Sequence, residues 1–222
     1  MGYLLIALVL LQQDDKKKDL KEACDKMDKL KSYHFSVKVT VGGEEKGTFE
    51  GEYFAPEAIH VRTEKGETAR NGDKKMMKLK DEEWREAKKL PRKLEGDELT
   101  APHEWVRKIA EMCPALKKEK SGKIGNVTVD IYVYTLAGDN AKKSFESAGM
   151  PLWGSMIDWT KTQNGVLFYV GRDDLVYKVE QRFDGKGKDD KKVENQVVIE
   201  FSDMGKAKCK LPDDVKEKLG IK

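Results

Sequence analysis

The chain is poor in the residues that carry most recognisable chemistry. Its 222 residues include only three cysteines and three histidines. Cys24, Cys113 and Cys209 stand far apart, so none forms the C-x-x-C pair of a zinc or redox site. His34, His60 and His103 show no H-x-x-x-H spacing. Each reads as a structural or exposed histidine, because a catalytic one needs converging partners. No G-x-S-x-G elbow, phosphate-binding Walker loop or G-x-G-x-x-G fingerprint occurs. Gly185-Lys186-Gly187-Lys188 is glycine-rich but lacks the strand-loop-helix setting of a phosphate cradle. No catalytic residue, cofactor or metal site is therefore expected. Charge of one sign is also missing. Lys and Arg total 43 against 40 for Asp and Glu, a formal net charge of +3. Runs such as Lys16-Lys17-Lys18 and Lys117-Lys118 have acids nearby, which speaks for solvated faces and against a nucleic-acid footprint. Acid pairs such as Glu82-Glu83 are too common in so charged a chain to mark acid–base work. Finally, the apolar run Tyr3 to Leu11 falls well short of the roughly 20 residues that cross a bilayer.

That run is nonetheless informative. YLLIALVLL has the length of a signal-peptide core, about 7–15 residues. No Lys or Arg precedes it, no small-x-small cleavage site follows, and no lipid-accepting Cys stands directly after it. Residues 1–14 are expected to be a signal peptide or N-terminal anchor, with a buried strand or helix as the alternative, and 15–222 a single exported domain. With 38% hydrophobic and 37% charged residues, the domain has a lean core and a heavily solvated surface. Cys24 falls on an apolar helical face and reads as core. If a disulfide forms, Cys113–Cys209 is the pairing expected, although spacing alone cannot assign connectivity.

Hydrophobic periodicity orders the rest. Leu20, Ala23, Cys24, Met27 and Leu30 recur at steps of three and four, predicting an amphipathic helix over 15–33. Phe35, Val37, Val39 and Val41 then alternate with polar residues, the mark of a half-buried strand. Short strands follow over 48–54, 58–63 and 74–80, separated by Gly42-Gly43, Pro56, Lys65-Gly66 and Asn71-Gly72. A further strand is expected near Trp84, then a loop over 90–101. Pro102 sits in the first turn of a second helix, capped by Thr100, whose Trp105, Ile109 and Met112 share a face. Ser121 to Gly125 reads as a turn, and Val127, Val129, Ile131 and Val133, alternating with Thr128, Asp130, Tyr132 and Tyr134, as a strong strand. Residues 139–148 make a helical or irregular connection, and 152–160 is ambiguous. A hairpin over 166–170 and 175–183 precedes a polar loop over 184–192. Strands over 197–201 and 206–211 and a short helix after Pro212 complete the chain. Trp84, Trp105, Trp153 and Trp159 with Met76, Met77, Met150 and Met156 suit either plain core filling or an adaptable apolar cavity.

The layout resembles that of LolA-like and LppX/LprG-like bacterial envelope proteins, over about Leu20 to Leu219. The leading helix runs into Tyr33-His34-Phe35-Ser36-Val37. Gly51-Glu52-Tyr53-Phe54-Ala55-Pro56 is similar to the step that ends the family's second strand. Gly171-Arg172-Asp173-Asp174-Leu175-Val176-Tyr177 looks like its turn-then-strand pairing. Val198-Ile199-Glu200-Phe201-Ser202-Asp203-Met204-Gly205, followed by Leu211-Pro212, is similar to its closing signature. The resemblance implies an α+β fold, a curved antiparallel sheet or half-barrel covered on its concave face by a few helices. It implies a non-enzymatic binder or carrier that holds a lipid or lipoprotein acyl chain in an apolar cavity at the cell envelope, with no cofactor. Phe35, Val37, Phe49, Tyr53, Trp105, Met112 and Ile131 are the cavity-facing residues expected from the alternation and the helical stripe. The alternative on the same fold is a protein-interaction or envelope-stress sensor domain, with an envelope protein as partner. A monomer is expected.

Overall fold

The computed structural model describes residues 20–87, 100–113, 116–147, 157–187 and 192–221. The expected loop over 90–101 and the ambiguous segment over 152–156 fall largely or wholly outside them. Helix α1 occupies 20–28 of the described chain. Then come β1 (Ser32–Val41), β2 (Glu44–Phe54), β3 (Ala58–Thr63), β4 (Gly66–Asn71), β5 (Lys74–Leu79) and β6 (Arg85–Glu86). Helix α2 (Pro102–Glu111) leads to β7 (Lys117–Ile124) and β8 (Val127–Ala137), and α3 (Gly138–Ser147) to β9 (Ile157–Gly171), β10 (Val176–Gly187) and β11 (Lys192–Ser202). Helix α4 (Asp213–Leu219) follows.

The strands form one antiparallel 11-stranded sheet, ordered β6-β5-β4-β3-β2-β1-β11-β10-β9-β8-β7. Two meanders are therefore sewn together at the centre by β1 and β11, with Phe35 opposite Phe201 and Val37 opposite Ile199. The sheet is open and curved, and its concave face carries helices. One large core forms there. Leu20, Ala23, Cys24 and Met27 of α1, Val106 and Ile109 of α2, and Ala141 and Phe145 of α3 pack on Phe35, Val37, Phe168, Val179 and Ile199 of the sheet. A smaller cluster lies on the other face, where Leu211, Val215 and Leu219 cover Ala69 and Met76.

Several boundaries differ from the sequence reading. The residues read as a turn over 121–125 belong mostly to β7, an edge strand whose sequence KKEKSGKI has no apolar alternation. Lysines on an edge strand discourage pairing with another chain. Residues 184–187 prolong β10, since Gly185 allows the close approach of Thr162 from β9, whose Cα lies 2.5 Å from the place a Cβ would take. Residues 206–211 pair with no strand and run as a strap toward α4. The cap of α2 is Ala101, with no side-chain cap.

Gly51 shows how tightly the sheet is built. A Cβ there would lie 2.2 Å from the His60 carbonyl oxygen and 2.5 Å from Phe35 Cζ. The Phe35 ring therefore rests on the bare backbone of β2. Gly51→Ala should cost about 1–3 kcal/mol by overpacking, read as a lowered urea midpoint with an unchanged slope.

The proposed Cys113–Cys209 pairing is corrected. All three cysteines are free thiols. Cys113 is buried in the concave core, whereas Cys209 packs in the cluster on the opposite face. The sheet stands between them.

Candidate functional site

The inward positions of β1 to β3 build an apolar floor. Phe35 is level with Gly51, and Val37 with Phe49. Gly51 is in turn level with Val61. Towards the β1–β2 hairpin the floor becomes less covered: Phe35 and Val37 are buried, whereas Val39, Phe49 and Val61 are only partly buried. Helix α2 supplies a wall. Its Trp105 ring meets Phe49 edge-on, with centroids 6.5 Å apart. Met112, at the end of the helix, is also half-buried against the same core. The result is a strip of incompletely covered apolar side chains between sheet and helix.

Beneath the strip, α2 is fixed by an aromatic cluster. Tyr53 stacks on Tyr33 at 5.0 Å, and the His103 ring lies 4.8 Å from Tyr53. The Tyr33 hydroxyl lies 2.7 Å from His103 Nδ1. Burial lowers the His103 pKa, which favours a neutral ring whose Nδ1 accepts a hydrogen bond from the Tyr33 hydroxyl. Burial also pushes the Tyr33 phenol up. The pair thus orients α2 without offering a base to a substrate. The core thiols are similarly inert, since burial pushes Cys24 and Cys113 up to about 12. Among the described residues, no group of three His, Cys, Asp or Glu side chains could hold a metal ion.

The seven residues expected to face a cavity divide as follows. Phe35, Val37, Phe49, Tyr53, Trp105 and Met112 all pack in or against the concave core. Ile131 does not. Its register partner is Tyr169, which is opposite Lys178, and Lys178 is opposite Glu200 on the outer face. Ile131 is buried on that outer face, and Tyr132 and Leu136 point into the core instead. Both faces of β8 carry apolar residues, so alternation alone could not choose between them. A cleft of about 160 Å³ lies between α1 and α2, lined by Leu20, Cys24, Arg107, Ala110, Glu111 and Leu116 among others. None of the seven lines it, and it falls below the roughly 300–1,000 Å³ usual for ligand pockets.

Sequence reasoning put Val39 on the apolar face of its strand without assigning it to the site, and Val61 joins it through its register beside Gly51. It overlooked Asn164 and Gln181, polar residues at inward positions among Val166, Phe168, Val179 and Phe183. Their shared parity with those apolar neighbours was the available signal. His60, read as structural or exposed, is buried on the outer face, where Nδ1 lies 2.8 Å from Glu52 and Nε2 2.9 Å from Glu67.

No protein-family model and no curated protein matches the chain. Solved structures do. The lipoprotein LppX of Mycobacterium tuberculosis aligns with 87% of this chain and 96% of its own, at 13% identity and a TM-score of 0.54. LprF from Mycobacterium bovis aligns with 90% of this chain and 97% of its own, at 11% identity and a TM-score of 0.57. At such identities the likeness speaks to architecture alone: the chain shares the fold of LppX and LprF.

Proposed function

We propose that this protein binds the acyl chain of a lipid or lipoprotein, without covalent chemistry, on the concave face of its sheet at the cell envelope. The observation that carries the reading is the strip formed by Val39, Phe49 and Val61 with Trp105 and Met112, apolar yet incompletely covered. Each methylene withdrawn from water there contributes about 0.8 kcal/mol, so a chain of several methylenes needs no strong polar contact to bind. The fold shared with a lipoprotein, LppX, and the apolar N-terminal run support placement at the envelope. Among the described residues no helix is long and apolar enough to cross a membrane.

Native mass spectrometry of protein purified from cells, followed by lipid extraction, tests the reading. A co-purifying species of lipid mass is expected. Phe49→Glu or Trp105→Glu should remove it and weaken uptake of a fluorescent fatty acid on the order of tenfold or more, because a carboxylate would be set against the tail. A clean apoprotein that takes up no fatty-acid probe would sink the proposal.

A second reading, a protein-interaction domain, is favoured by how much of the concave face its own side chains already fill. Phe145, Trp159 and Phe183 form one aromatic group, with the Phe145 and Phe183 centroids 4.9 Å apart. Under this reading the Phe49–Trp105 edge would meet a partner's apolar side chain, and the Glu substitutions would abolish a protein complex instead.

A further inference from the structure

Deep on the concave face, two carboxamides interrupt the apolar core. Asn164 of β9 and Gln181 of β10 are each fully buried, at 0% exposure. The Ser144 hydroxyl on α3 donates to the Ala141 carbonyl at 2.9 Å, so towards Asn164 it can only accept. Asn164 Nδ2 donates to it at 2.7 Å, and donates also to Gln181 Oε1 at 2.8 Å. Both amides are thereby oriented. One group of each remains unused: Asn164 Oδ1 and Gln181 Nε2 are buried with no hydrogen-bond partner. An orphaned buried polar group costs about 1–3 kcal/mol, so two side by side require a reason.

Their place on the sheet suggests one. Gln181 is level with Val197, and Val197 with Val39. Two strand spacings, about 10 Å, thus separate the amide from the half-covered strip that runs on to Phe49. Phe183, opposite Asn164, and Phe145 of α3 wall the same region.

We propose that Asn164 Oδ1 and Gln181 Nε2 anchor the polar end of the bound ligand, a hydroxyl or amide group that donates to the first and accepts from the second. The inference rests on the acyl-chain reading and adds to it the class of headgroup: the ligand is an acyl amide or an acyl glycerol bearing a free hydroxyl. A simple ester, which only accepts, satisfies one atom of the two, and a bare alkane neither.

Binding of palmitamide, monopalmitoylglycerol, methyl palmitate and hexadecane by displacement of a fluorescent fatty acid is the test. The first two should bind on the order of tenfold more tightly than methyl palmitate, the amide and hydroxyl arms reporting which group is preferred. Gln181→Leu and Asn164→Leu, close in volume, should erase that preference. Equal affinities for all four probes, or a preference that survives both substitutions, would overturn the anchor while leaving the acyl-chain reading in place. Failure of every probe to bind would overturn both. Should a Leu variant fail to fold, the wild-type side-chain amide resonances still decide. The Gln181 amide should shift with palmitamide and not with hexadecane, and no shift with either would refute the anchor.

Discussion

Glu52→Gln should unfold this protein about 6–12 °C earlier than wild type, from a loss of about 3 kcal/mol. Glu52 lies on the outer face of β2, its side chain 1% exposed. Its carboxylate is held by Arg62 at 2.7 Å and His60 at 2.8 Å, with His34 at 3.6 Å and Lys210 of the C-terminal strap at 3.7 Å. A glutamine of the same shape leaves the Arg62 and Lys210 cations beside a neutral, buried amide. Removing one partner of a buried pair costs about 3–5 kcal/mol, and the lower end applies because Arg62 and Lys210 keep some access to solvent. The sign with pH follows from the same contacts. Burial pushes the Glu52 carboxyl up, but the bonds from His60 and Arg62 outweigh it and hold it below its ordinary value of 4.5. A carboxyl so depressed contributes stability that is fully present above pH 4.5 and fades as the pH falls through the lowered value. The gap between wild type and Glu52→Gln, measured by urea unfolding, should therefore narrow in acid. A gap that stays constant from neutral pH down through that range would refute the account.

Phe35→Ala should cost about 3–5 kcal/mol. The side chain is 1% exposed at the seam where β1 pairs with both β2 and β11. Its ring lies edge-on to Tyr33 at 6.2 Å and covers Gly51. The helices above it are positioned by other contacts, so the void has little means of closing. A double-mutant cycle with Gly51→Ala gives a sharper result. The methyl at position 51 would lie in space vacated by the ring, so the double variant should be more stable than the sum of the single losses implies. The relief is incomplete, because the His60 carbonyl stays 2.2 Å from that methyl position. Strict additivity would show that ring and glycine do not meet in solution.

These two residues illustrate what could be read in advance. Phe35 was legible as core because Val37, Val39 and Val41 follow at the same parity on a strand with one wet face. The importance of Glu52 was not. It alternates with Gly51 and Tyr53 like any exposed strand residue, and what buries it includes a strap arriving from position 210. The site divides the same way. Phe49 and Trp105 were legible from a strand period and a helical stripe, while their edge-on meeting depends on where α2 lands.

What this sequence determines by itself is local: the two amphipathic helices, the period-2 strands, and the glycine and proline punctuation that folds them into meanders. These follow from interactions within a few residues, which fix the period of burial. The tertiary structure decided the rest. It paired β1 with β11, more than a hundred residues apart, placing both in the middle of the sheet. It turned Ile131 outward and Tyr132 inward, on a strand with apolar residues on both faces. It covered Ala69 and Met76 with α4, and it brought Asn164 and Gln181 within hydrogen-bond distance. Pairing register and the choice of face are set by the partner strand and by what packs above it, and neither is encoded in the period of a single strand.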